Sequence, residues 1–195
     1  MSLDFNVYVP QIDDTIIPKW IERMNQMGMK CEVHPEFSFK DHSGFLPFRV
    51  KIENPKNLDL ANKEFVTGFE FHLEEFSLES ALESLKPKKT FFQKILKNVQ
   101  EERVVFISEE IDTRLKDCKK VMIFKWGSTD TFELRMASLS SAILSELTEG
   151  VCCYPADDIW YNNAKIVDDA YKEVIAYESS ISDKDWKVHL FEGWK

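Results

Sequence analysis

A stretch with two adjacent cysteines and two aspartates, "LTEGVCCYPADDIW" (147–160), is the first place where residue types could do chemistry. A reactive thiolate needs a lowered pKa, from a helix N-terminus or a nearby cation. Cys152 and Cys153 instead follow a predicted helix end, whose dipole acts in the opposite direction. Strand alternation sends one thiol to the core and the other to the opposite face of the sheet. We therefore predict buried packing cysteines, and we interpret Asp157 and Asp158 as turn formers.

Histidines offer a second kind of chemistry. His34 ends a predicted strand, His42 lies in the polar loop that follows it, and His72 lies on a predicted strand with Glu70. Such a group could hold zinc or serve acid–base catalysis. No His-x-His, His-Glu-x-x-His or Cys-x-x-Cys spacing supports it. We predict no catalytic residue, no metal and no cofactor, and the alternative is a small hydrolase or transferase with a site near these four residues.

The net charge limits the kinds of partner. The chain has 25 Lys and Arg against 34 Asp and Glu, which gives a net charge of −9. This balance argues against nucleic acid and anionic membranes, because both present a negative surface. Segments 64–83 and 157–185 together hold fourteen acids and three lysines, whereas 86–97 holds five lysines and no acid. We interpret 86–97 as a solvated helix face and expect a basic protein as the partner.

The acidic segments and the aromatic tail supply the candidate contact residues. Exposed acids steer a basic partner toward its site. Tryptophan is enriched among the residues that contribute most to binding at interfaces. We predict the partner-binding residues to be Glu74, Glu75, Asp168, Asp169, Trp186 and Trp194.

Hydrophobic periodicity predicts the elements that must position these residues. Alternation predicts strands such as 5–10 and 64–74, and an apolar run predicts a buried strand at 102–108. Helical spacing predicts a helix over 132–147, which Gly150 ends. The order of elements predicts an α+β fold with a mixed sheet and packed helices. The first half has the order of a ferredoxin-like split βαβ unit.

The length suits a single domain, 1–195, which could be built from two packed halves, 1–108 and 109–195. The N-terminus lacks a basic region followed by an apolar one, so we expect no signal peptide. Four cysteines without a secretory signal are expected to be free thiols in a reducing compartment. These observations predict a cytoplasmic protein.

Two segments carry a resemblance. "SGFLPFRVKIE" (43–53) and "FELRMASLSSAILSELTEGVCCYP" (132–155) resemble segments of an uncharacterised family of bacterial cytoplasmic proteins. In that family a helix rich in small residues leads into a glycine, a short apolar strand and a proline. The resemblance implies packing roles for these residues and carries over no activity.

Together these observations predict a non-enzymatic protein-binding module that engages a basic partner through an acidic aromatic face. An immunity protein, which neutralises a toxin by covering it, is the specific form we consider. A third class, a self-associating structural protein that uses an edge strand to form a homo-oligomer, remains open.

Overall fold

A computed structural model of the chain describes residues 3–85, 105–127, 129–161 and 163–194. These residues form eight β-strands and five α-helices. In chain order the elements are β1 (Leu3–Val9), α1 (Ile17–Asn25), β2 (Met29–Val33), β3 (Gly44–Ile52), β4 (Phe65–Glu75), α2 (Leu78–Leu85), α3 (Glu109–Leu115), β5 (Lys120–Trp126), α4 (Glu133–Thr148), β6 (Val151–Tyr154), β7 (Ile159–Trp160), α5 (Ile166–Ser180) and β8 (His189–Leu190).

All eight strands belong to one sheet with the order β2-β3-β4-β5-β1-β6-β7, and β8 pairs with β4. The predicted α+β class is confirmed. The prediction of a mixed sheet is wrong, because every pairing among the described strands is antiparallel. The split βαβ prediction is also wrong, since β1 pairs antiparallel with β5 and β6 from the second half of the chain. Periodicity identified these strands but carries no information about their order.

The two faces of the sheet differ because successive side chains of a strand point to opposite sides. Phe5, Val7 and Val9 of β1 join the main core, which α1, α4 and α5 cover. We call this side the helical face. Tyr8 points to the opposite face and packs in a smaller cluster with Leu115 of α3. The sheet is therefore covered on both sides at its centre.

Helix α4 is the central helix of the helical face. Twelve of its sixteen residues are buried, from Glu133 through Ser145. The serines and alanines among them present little bulk, so neighbouring elements can approach closely. A helix that is buried on nearly all sides is stabilised mainly by tertiary packing and not by the helix propensity of its residues.

The end of α4 differs in one detail from the prediction. Glu149, and not Gly150, adopts the left-handed conformation that ends the helix, with φ of 54°. Gly150 is required for another reason: a Cβ there would lie 2.7 Å from the carbonyl oxygen of Tyr8. The glycine lets the chain turn back closely onto β1.

The predicted strand at 102–108 is wrong for the residues that the structure describes there. Val105 and Ile107 are exposed and lie outside any strand. The backbone N–H groups of Phe106 and Ile107 donate to the carboxylate of Asp112 in α3, at 2.9 and 3.1 Å. This local capping replaces the pairing that a strand would have.

A buried ion pair joins α4 to α5. The guanidinium of Arg135 donates to both carboxylate oxygens of Glu178, at 2.6 and 2.7 Å, and to the carbonyl oxygen of Met27, at 2.9 Å. Both side chains are at least nine-tenths buried. The pair fixes α5 against the helical face. Within the described ranges, no helix combines the length and the apolar character needed to cross a membrane.

Candidate functional site

The candidate site is a cavity of about 480 Å³ on the helical face. It lies where the start of β1 and the end of β5 meet the β6–β7 hairpin and α5. Its lining contains five aromatic side chains, three carboxylates and a few aliphatic residues, and we call it the aromatic cavity. The lining residues are Leu3, Phe5, Trp126, Gly127, Asp130, Leu134, Tyr154, Asp157, Ile159, Tyr161, Glu173 and Tyr177.

The aromatic rings meet because of the strand pairing. Leu3 pairs with Trp126 and Phe5 with Phe124 in the β1–β5 register, so Phe5 and Trp126 lie diagonally on the same face. Their rings stack with centroids 4.6 Å apart and an interplanar angle of 15°. Tyr154 lies at 5.5 Å from Phe5 and 6.0 Å from Trp126, tilted against both. The rings form a continuous wall of π surface.

Asp130 is the buried carboxylate of the cavity and is 7% exposed. Its Oδ1 accepts from the hydroxyl of Thr67 at 2.9 Å and from the backbone N–H of Phe132 at 2.7 Å. Its Oδ2 is buried and has no hydrogen-bond partner among the described residues. Burial raises the pKa of the Asp130 carboxyl, and the two hydrogen bonds oppose this shift. A negative charge here lacks a full set of donors.

Asp157 and Glu173 carry the negative charge at the rim. Both side chains are exposed, Asp157 in the turn before β7 and Glu173 on α5. Burial raises the pKa of the Tyr154 and Tyr161 phenols, and the nearby charges of Asp157 and Glu173, respectively, add to it. The phenols therefore stay protonated and neutral at physiological pH.

The composition of the lining determines what the aromatic cavity can bind. Among its described lining residues there is no lysine or arginine. The face of an aromatic ring is negative and attracts cations within about 6 Å of its centre. Carboxylates that line the same cavity add Coulombic attraction. The arrangement suits an organic cation with an apolar stem.

The four residues of the alternative enzyme site do not converge. The His72 Nδ1 atom is hydrogen-bonded to the hydroxyl of Ser43 at 3.0 Å, and Glu70 lies two residues before it on the same side of β4. His42 packs on Phe37 and donates from Nε2 to the carbonyl of Gly44. His34 stacks edge-on with Trp194.

No group of three or more His, Cys, Asp or Glu side chains in the described ranges is placed to hold a metal ion. The four cysteines are free, as predicted, and all four are buried, which was predicted for Cys152 and Cys153. Cys152 points to the helical face and Cys153 to the opposite one, which confirms the predicted alternation. Burial, with the charge of Asp4 second, raises the pKa of the Cys153 thiol to about 12. These thiols are packing groups and not nucleophiles.

The predicted acidic contact residues occupy two separate places. Glu74 and Glu75 are exposed at the end of β4, where Glu74 points away from the helical face and Glu75 is ion-paired with Lys120. Asp168 and Asp169 lie in the first turn of α5, which packs on α4. The α5 pair shares its helix with Glu173 of the aromatic cavity, and the β4 pair does not border it.

The two predicted tryptophan anchors are half-buried against their own chain. Trp186 packs on Phe132 with centroids 5.4 Å apart. Trp194 packs between His34 and Phe191. The tail that carries them contributes only the two-residue strand β8, which pairs with β4.

The sequence gives no direct signal for the aromatic cavity. Phe5 and Trp126 are far apart in the chain and meet only through the non-local pairing of β1 with β5. Asp130 lies just before α4, where an aspartate is expected to cap the helix, so its residue type and position do not indicate a binding role. The acidic segment 157–185 contains Asp157 and Glu173, but from this segment we predicted Asp168 and Asp169 as contact residues and interpreted Asp157 as a turn former. The lysine-rich segment 86–97 lies outside the described residues.

No family model, curated protein or solved structure matches the chain. The resemblance to a bacterial family therefore stays a prediction.

Proposed function

We propose that the protein is a non-enzymatic binding module for a basic protein, and that a cationic side chain of this partner enters the aromatic cavity. The observation that supports this proposal is the composition of the cavity lining. It contains five aromatic side chains and three carboxylates, and no lysine or arginine among the described residues. Aromatic and acidic groups around one cavity favour a cation over any neutral or anionic ligand.

The charge of the whole chain supports the same partner. A net charge of −9 attracts basic proteins over distances comparable to the Debye length. A single cation–π contact contributes about 0.5–1 kcal/mol at an exposed site and about 2 kcal/mol when water is excluded. Several rings around one cation and an acidic rim together give a contact strong enough to anchor an interface.

The specific form of this proposal is an immunity-type protein that covers a basic toxin. An inhibitor of that kind needs a binding surface and no catalytic group. Acidic steering would also speed its capture of the toxin.

The proposal is tested with fluorescein-labelled short peptides, one set rich in lysine and arginine and one set rich in aspartate and glutamate. We expect the intact chain to bind the basic set in a fluorescence anisotropy titration and to leave the acidic set unbound. The double variant Asp157→Asn/Glu173→Gln should weaken basic-peptide binding by about tenfold, because it removes the negative rim of the aromatic cavity.

The matched control is Glu22→Gln/Asp59→Asn, which removes the same two charges from exposed positions that do not line the cavity. It should change the affinity much less. An equal loss in both double variants would show that net charge alone attracts the peptides and would refute the site. Failure of every basic peptide to bind would refute the proposed function.

A further inference from the structure

We infer that the partner presents its cationic side chain on an extended segment, and that this segment adds to the free edge of β7 as an antiparallel strand. This inference rests on the proposed function and names the kind of segment that the aromatic cavity receives. It depends on three features: the edges of the sheet, the direction of the backbone groups of β7, and the side chains around that strand.

The first feature is the position of β7 at an edge of the sheet. Among the described strands it pairs only with β6, and it ends the strand order next to the aromatic cavity. The opposite end of that order, β2, is capped from within, because the Oδ1 atom of Asn25 accepts from the outward-facing N–H of Cys31 at 2.6 Å. The short strand β8 has no residue in the cavity lining. Among the described edge strands, β7 is therefore the one that borders the cavity.

The second feature is the direction of the backbone groups of Trp160. In an antiparallel ladder, residue pairs that exchange two hydrogen bonds alternate with pairs that exchange none. The N–H of Tyr161 donates to the carbonyl oxygen of Cys152 at 3.0 Å, so the next pair, Cys153 with Trp160, exchanges none. The N–H and C=O of Trp160 therefore point away from β6, and neither has a backbone partner among the described residues. An added antiparallel strand can exchange two hydrogen bonds with this residue.

The third feature is the set of side chains around this edge. Edge strands are commonly protected against further pairing by lysine or proline, and β7 contains neither. Its first residue, Ile159, lines the aromatic cavity and is 41% exposed. The exposed carboxylates of Asp157 and Asp158 lie directly before it in the chain. An apolar edge strand bordered by negative charge suits an extended segment that carries basic residues.

These features bring a basic side chain to the cavity. Successive side chains of a strand point to opposite faces, so the two neighbours of the residue that pairs with Trp160 lie beside Ile159 and Tyr161 on the helical face. A lysine or arginine at such a position packs its stem along Ile159 and places its charge among the rings and carboxylates of the lining. The added strand is antiparallel, like every pairing among the described strands. In this arrangement the backbone N–H of the basic residue points away from β7.

The experiment uses a fluorescein-labelled heptapeptide in which lysine alternates with threonine, so that all lysines share one face of an extended chain. One derivative carries N-methyl groups on its three lysines and a second carries them on three threonines, so charge and number of lost donors are matched. We expect the threonine-methylated peptide to bind the intact chain about tenfold more weakly than the parent, because its lost donors face Trp160. The lysine-methylated peptide should bind within about twofold of the parent. Equal losses, no loss in either derivative, or a larger loss in the lysine-methylated peptide would overturn the inference.

Amide hydrogen exchange followed by NMR locates the added strand on the protein. With the parent heptapeptide bound, the N–H of Trp160 should exchange about tenfold more slowly, because it gains an acceptor. The N–H of Tyr161 is the control and should keep its rate, since it already donates to Cys152. An unchanged rate at Trp160 would overturn the inference. If other basic peptides bind and the heptapeptide does not, the inference is overturned and the proposed function stands; if no basic peptide binds, both are refuted.

Discussion

At the residue scale, Asp130 combines a cost to stability with a position in the aromatic cavity. Burial raises the pKa of its carboxyl above the ordinary 3.8. The folded protein therefore holds this proton more tightly than the unfolded chain does. The contribution of Asp130 to stability falls as pH rises from 3.8 through the folded pKa, and it stays constant above that window. Residues that lower the stability of the folded protein in this way are often residues that bind a ligand.

Asp130→Asn should therefore stabilise the protein at neutral pH. The amide keeps the acceptor for Thr67 and Phe132 and removes the buried charge, so we expect a gain on the order of 1 kcal/mol. The gain should shrink as pH falls toward 3.8, because the wild-type carboxyl in the folded protein becomes increasingly protonated. Urea unfolding of both proteins across this pH range measures the difference. A loss of stability at pH 7 would contradict the assignment of a costly charge.

The control at this scale is Glu133→Gln. Both oxygens of this carboxylate accept hydrogen bonds. In the amide, the oxygen can keep the bond from the Gly127 N–H, but the NH2 group then faces the Thr129 hydroxyl, which must turn from donor to acceptor, and both bonds lose the charge of the carboxylate. We expect a loss of about 1–3 kcal/mol at the same pH. Two neighbouring buried acids should thus respond in opposite directions, because both oxygens of Glu133 accept a hydrogen bond, whereas the Oδ2 atom of Asp130 has no partner among the described residues.

At the scale of elements, much of the local structure follows from periodicity. Alternation of apolar residues predicted β1 and β4, and helical spacing predicted α4, all within about two residues at most ends. The neighbours of each strand could not be predicted, because β1 lies between β5 and β6 through contacts that no local pattern encodes. The aromatic cavity depends on that strand pairing, so it could not be predicted from local sequence patterns either.

The placement of α5 over the cavity depends on the Arg135–Glu178 pair. Glu178→Ala would leave the guanidinium buried without its counter-ion, so we expect a loss of about 3–5 kcal/mol. The exposed pair between Arg23 and Glu146, at 2.7 Å, provides the control, and Glu146→Ala should cost less than about 1 kcal/mol. Thermal or urea unfolding measures both. Similar costs for the two variants would show that burial does not govern the α5 pair.

At the scale of the whole molecule, negative charge is spread over both sides of the sheet, but the aromatic cavity opens on one side. Asp169, Glu173 and Tyr177 are spaced by four residues along α5, so they share one face of that helix. Asp168 precedes them in the same first turn. Glu74 points from the other face of the sheet. A partner that docks at the cavity approaches along α5.

This geometry separates the two predicted acidic pairs. Asp168→Asn/Asp169→Asn should slow the association of a basic peptide more than Glu74→Gln/Glu75→Gln does, although each double variant removes two charges. The effect should appear mainly in the association rate, because steering acts before contact. It should fade with salt, since the Debye length falls from about 10 Å at 0.1 M to about 3 Å at 1 M. Stopped-flow anisotropy with the basic peptides gives both rates. If the two double variants slow association equally, the partner does not dock along α5. If the association rates do not change with salt, electrostatic steering does not contribute to binding.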